Sequence, residues 1–149
     1  MTAHRISHPV FGTVEFDPAD PECSWETTAG SVRVDLTFAG AVVSPDALDE
    51  VAPFVAELAR FDARARAAIE DDVDAVLGDY LDFDGAEALP HTTPDTFPAA
   101  LRLVRVGLYP GDPETRAVFD YTLGRDLTDH LVAVRFGAGR TVGAVAVES

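Results

Sequence analysis

From Val32 to Phe38 every second side chain is apolar: Val32, Val34, Leu36 and Phe38 alternate with Arg33, Asp35 and Thr37. A period of two marks a strand with one face on a core and the other in water. Val10, Gly12, Val14 and Phe16 alternate in the same way with Phe11, Thr13 and Glu15. Asp17-Pro18-Ala19-Asp20-Pro21 reads as a turn segment, and Trp25 to Thr28 as a short strand before a turn at Ala29-Gly30. The first third therefore predicts a three-stranded antiparallel meander, preceded by a loose N-terminal arm at 1–8.

The period then changes. Ser44-Pro45-Asp46 has the grammar of a helix start: a hydroxyl to cap a free N–H, a proline whose missing N–H costs nothing in the first turn, and a carboxylate on the positive helix end. Leu48, Val51, Val55 and Leu58 form the apolar stripe of a helix running to about Phe61, with Pro53 kinking it or moving its effective start. Ala65, Ile69, Val73, Val76, Leu77, Tyr80 and Leu81 keep helical spacing through a second helix from Asp62 to Leu81. Gly85, Pro90, Pro94 and Pro98 make 82–98 a loop, with a helical turn near Phe97 to Leu101.

Four short Val-rich segments follow: Leu103 to Tyr109, Phe119 to Leu123, Leu131 to Phe136 and Thr141 to Val147. Glycines in Phe136-Gly137-Ala138-Gly139-Arg140-Thr141 suit a hairpin needing positive φ, so the last two strands should pair. The order βββ-αα-ββββ predicts an α+β fold: a mainly antiparallel sheet of about six or seven strands with two helices on one face. The 149 residues fit a single domain, since domains of about 100 to 200 residues are usual. Either edge of such a sheet can pair into a dimer, but edge exposure cannot be read from the pattern.

Composition narrows the chemistry. The chain has no lysine, asparagine or glutamine, which removes Schiff-base lysines, phosphate-loop lysines, amide side chains in oxyanion holes and Asn-linked glycans. Seventeen aspartates help to bring the net charge to −15, which repels nucleic-acid phosphates and anionic membranes. No apolar run reaches the roughly 18 to 20 residues of a membrane-spanning helix. Cys23 is alone and the N-terminus leads into no apolar stretch, so a cytoplasmic protein is expected. Cys23 sits among acidic residues that raise a thiol pKa, and reads as an unreactive thiol.

Phe11-Gly12-Thr13-Val14-Glu15-Phe16, Trp25, the strand from Val32 to Phe38, Phe119-Asp120-Tyr121-Thr122-Leu123, Asp129-His130-Leu131-Val132-Ala133-Val134-Arg135-Phe136 and Glu148-Ser149 together resemble a bacterial family, the uncharacterised domain-of-unknown-function family number 2004. The resemblance implies a soluble bacterial α+β protein. It supplies no activity, cofactor or functional residue.

Two acidic groups stand out. Glu70, Asp71, Asp72, Asp74, Asp79, Asp82 and Asp84 offer hard oxygen ligands, but their spacing scatters them over a helix surface and Asp82-Phe83-Asp84-Gly85 is no EF-hand loop. Asp120, Asp126, Asp129 and His130 gather around one loop between strands and are the candidate catalytic set of a metal-dependent hydrolase. The plainer reading makes Asp120 an outward strand residue and Asp126 and Asp129 turn formers. His4, His8 and His91 lack metal-ligand spacing, and no Gly-x-Ser-x-Gly elbow exists. Trp25, Tyr109 and Tyr121 are the interaction candidates, as aromatics with a polar tip. The function these features favour is a small acidic binding or accessory module that recognises a basic protein partner, as an immunity protein recognises a toxin. It needs no cofactor. The alternative is the hydrolase.

Overall fold

The computed structural model describes residues 4–17, 24–38, 44–82, 93–124 and 128–148. β1 (His4–His8) and β2 (Gly12–Phe16) form a separate antiparallel hairpin. β3 (Ser24–Ala29) and β4 (Val32–Thr37) pair with each other, and the chain then passes through α1 (Pro45–Ala56), α2 (Leu58–Asp71), α3 (Val73–Tyr80) and the short α4 (Phe97–Ala100). It returns as β5 (Arg102–Leu108), β6 (Ala117–Thr122), β7 (Leu131–Phe136) and β8 (Val142–Glu148). The six-stranded sheet has the order β3-β4-β5-β6-β7-β8, so the class is α+β. Its neighbours are antiparallel except β4 and β5, which run parallel. Parallel neighbours need a crossover, and the helices in mid-sequence supply it.

The first third departs from the meander. Gly12–Phe16 pairs with His4–His8 and not with Ser24–Ala29. The expected loose arm is a strand over its last five residues: Ile6 lies opposite Val14 and packs on the core, and His8 is buried with Nε2 2.7 Å from Asp49 Oδ1 on α1. One apolar residue in five is too little alternation to mark a strand.

The Ser44 hydroxyl caps α1, accepting from the Ala47 N–H at 3.2 Å, with Pro45 in the first turn. Pro53 stays inside α1, and the break expected near it falls at Glu57 (φ −117°, ψ 42°). Across that break Phe54 and Phe61 meet at 4.7 Å between ring centres. The second predicted helix is likewise divided, at Asp72 (φ −124°, ψ 29°). Phe54 and Phe61 both reach Phe136 of β7, at 5.5 and 5.7 Å, and Phe54 reaches Phe119 of β6. These four rings are almost fully buried and centre the core. Each is worth about 1.5 to 3 kcal/mol of transfer from water.

A register shift between Leu103 and Arg105 sets the two faces of β5. Leu103 packs on the core and so do Val106 and Leu108, a change of parity that needs one extra residue. The bulge turns Arg105 to the opposite face, beside its register partner Asp120. In the β7–β8 connection the positive φ falls on Arg140 (59°), not on the glycines expected to carry it.

Candidate interaction surface

Arg105 lies across three strands on the sheet face turned away from Phe119. Its Nη1 donates to Asp120 Oδ2 on β6 at 3.1 Å and its Nε to Asp35 Oδ2 on β4. Gly107 makes room for it: a Cβ there would stand 3.0 Å from Arg105 Nη2 and 3.0 Å from the Tyr109 hydroxyl. Burial opposes the charge on Arg105, but the bonds to Asp35, Tyr109 and Asp120 outweigh it and hold the pKa above the ordinary arginine value. Asp120 goes the other way from a typical ion-paired carboxyl. Its burial outweighs the pairing with Arg105, and its pKa is raised. Arg33 adds longer contacts, 3.6 Å to Glu26 and 3.5 Å to Asp35. Beside this network Ser24, Trp25, Glu26, Asp35, Thr37 and Arg105 line a cleft of about 330 Å³.

The three aromatic candidates separate. Trp25 is half-buried, meets Phe11 edge to face at 6.1 Å and lines that cleft. Tyr109 is half-buried with its hydroxyl over Gly107. Tyr121 is fully buried and leaves the surface altogether: its hydroxyl donates to Asp62 Oδ1 at 2.6 Å, and the Arg66 guanidinium stands 5.1 Å from its ring centre. Strand alternation puts Tyr121 in phase with Phe119, and that phase faces the helices. Asp120 has the opposite phase, as expected, yet only 5% of it is exposed because Arg105 lies over it.

Of the candidate catalytic set, Asp120, Asp129 and His130 lie among the described residues, and Asp120 and His130 have different partners. Asp120 is held by Arg105, whereas His130 Nδ1 lies 3.0 Å from the Tyr80 carbonyl oxygen at the end of α3. An imidazole nitrogen facing a carbonyl must carry the proton. His130 instead joins Asp79 and Asp82 of the other acidic group, with Val147 and Glu148, around an open cleft of about 280 Å³. Asp129 is exposed. Asp126, Asp84, His91 and Cys23 lie outside the described residues. Among the described residues no three His, Cys, Asp or Glu side chains are grouped to hold a metal ion.

Ion pairing is uneven across the surface. Arg5, Arg33, Arg60, Arg66, Arg105, Arg116 and Arg135 each pair with a carboxylate. Glu70, Asp71, Asp72, Asp74, Asp79 and Asp82 are all exposed, and none is in an ion pair among the described residues. Glu70 and Asp71 also sit in the last turn of α2, which has no basic residue there. Carboxylates at the negative end of a helix dipole are unfavourable by about 0.3 to 1 kcal/mol each.

The sequence contains Asp35, Arg105 and Gly107, but their meeting depends on the parallel β4–β5 pairing and on the bulge. Charges of opposite sign in mid-strand were the available signal. No family model, curated protein or solved structure matches the chain. No helix among the described residues is long and apolar enough to cross a membrane.

Proposed function

We propose that this protein is a small binding or accessory module that docks a basic protein partner on the acidic surface of α2 and α3, as an immunity protein docks a toxin. The observation that carries the reading is the unpaired set of carboxylates from Glu70 to Asp82, of which Glu70 and Asp71 sit in the last turn of α2 against its helix dipole. A surface shaped for stability alone would put arginine there. An uncompensated field of one sign steers a partner of the other sign and speeds encounter, and salt weakens that effect. The solitary cysteine and the resemblance to the bacterial family favour a cytoplasmic bacterial setting.

The test compares wild type with the variant Glu70→Arg, Asp71→Arg, Asp74→Arg as bait for bacterial lysate, at low and at high NaCl. Wild type is expected to retain basic proteins at low salt and release them at high salt, and the variant to retain none. Equal retention by both baits would remove the surface from the reading.

A further inference from the structure

Among the described residues β1 and β2 pair with each other and with no strand of the six-stranded sheet. A two-stranded hairpin is marginal in water by itself, so this one depends on the side chains that dock it. Ile6, Val10, Phe11, Val14 and Phe16 pack on the core, and Phe11 meets Trp25 of β3. Among the described side chains of the hairpin His8 is the one buried polar group, only 3% exposed.

Both nitrogens of that imidazole are committed. Nδ1 accepts from the Val10 N–H at 3.1 Å and so carries a lone pair, which leaves the ring's one proton on Nε2, 2.7 Å from Asp49 Oδ1 of α1. The docked ring is the neutral form. A second proton would go to Nδ1 and set two donors, its own N–H and that of Val10, against each other in a site with almost no access to water. Asp49 draws the other way, since a carboxylate favours an imidazolium. Its side chain is 66% exposed, however, and water screens that pull. Among the described residues no other charged group bonds to the ring. On α1, Asp46 is exposed in the first turn, and Glu50 accepts from Gly111 N–H and Arg116. Arg5 and Glu15 of the hairpin pair with each other at 2.8 Å, and Glu26 of β3 lies 3.6 Å from Arg33.

We propose that His8 makes the β1–β2 hairpin a pH-operated clasp: neutral, it holds the hairpin on α1, and protonated, it releases it. Release uncovers Phe11 and Val14 and removes the Phe11 contact from Trp25, which lines the cleft beside Arg105. A histidine in water takes its second proton near a pH of about 6.5. Docking is therefore whole above about pH 6.5 and weakens as the pH falls below it, by up to about tenfold per pH unit for one proton taken up on release. The clasp is independent of the acidic surface of α2 and α3, and either can fail alone.

Amide hydrogen exchange of the full chain at about pH 7.5 and about pH 5.5, corrected for the intrinsic pH dependence of exchange, tests this. Protection in β1 and β2 should fall about tenfold at the lower pH while that of β6 and β7 holds. Emission of Trp25, the single tryptophan, should shift over the same range. His8→Gln keeps an N–H for Asp49 and takes up no proton, so its hairpin should be equally protected at both pH values. Should that variant fail to dock, Asp49→Asn decides: the pull toward imidazolium is gone, and release should begin at a higher pH than in wild type. Hairpin protection that is constant or rises in acid, an unchanged Trp25 emission, an equal loss in His8→Gln, or release at the same or a lower pH in Asp49→Asn would each overturn the clasp.

Discussion

The buried Tyr121 hydroxyl donates to the half-buried Asp62, and its pKa is driven well above the tyrosine norm, first by burial and then by the carboxylate it bonds. The folded protein therefore keeps this proton at a pH where the unfolded chain, with a tyrosine pKa of about 10, releases it. Tyr121's contribution to stability is whole below about pH 10 and is lost as pH rises above that value. Denaturant unfolding of Tyr121→Phe should show stability lower by about 1.5 to 3 kcal/mol at neutral pH, for a bond to a charged acceptor, and a shallower decline above about pH 10. At Gly107 the expected loss is smaller. Alanine there crowds a guanidinium pinned by two carboxylates, and about 1 kcal/mol should go, most of it recovered when Arg105 is also cut to alanine in a double-mutant cycle. Such residues were half-legible in the sequence. Alternation gave Tyr121 and Asp120 opposite faces, but not which face the helices cover, nor that Arg105 would bury Asp120.

Long periodic segments were the readable elements. Seven expected strands and the Ser44-Pro45 helix start are present, because their alternation and caps act locally. What escaped were features set by contacts distant in sequence: β1, whose docking depends on Asp49 of α1, the parallel β4–β5 pair, and the bulge in β5. The division between α2 and α3 is marked by no proline or glycine, and Asp72 makes no side-chain cap there. Replacing Glu70 and Asp71 by arginine should complement the α2 dipole and raise stability by about 0.3 to 1 kcal/mol per residue in low salt. Thermal unfolding should show that gain fading at high ionic strength. If the same variant loses the basic partner, the cost in stability and the gain in binding belong to the same carboxylates.

At the scale of the whole molecule the net charge of −15 acts as self-repulsion, densest where α2 and α3 leave carboxylates unpaired. Screening should relieve it, and the thermal midpoint should rise with KCl over the range in which the Debye length falls from about 30 Å to about 10 Å. A divalent cation tests something further. A site for one cation, filled to a hundredfold over its dissociation constant, adds about 2.7 kcal/mol beyond screening, and it does so for particular metals. Carboxylates scattered over two helices attract cations without grouping around one, and His130 turns its protonated nitrogen to the Tyr80 carbonyl while Asp120 is engaged elsewhere. Mg²⁺, Ca²⁺, Mn²⁺ and Zn²⁺ should therefore shift the midpoint of chelator-treated protein no more than KCl of equal ionic strength. A shift specific to one metal, lost in Asp129→Ala or Asp126→Ala, would mean that the loop before β7 gathers ligands after all. The hydrolase would then displace the acidic module as the leading reading.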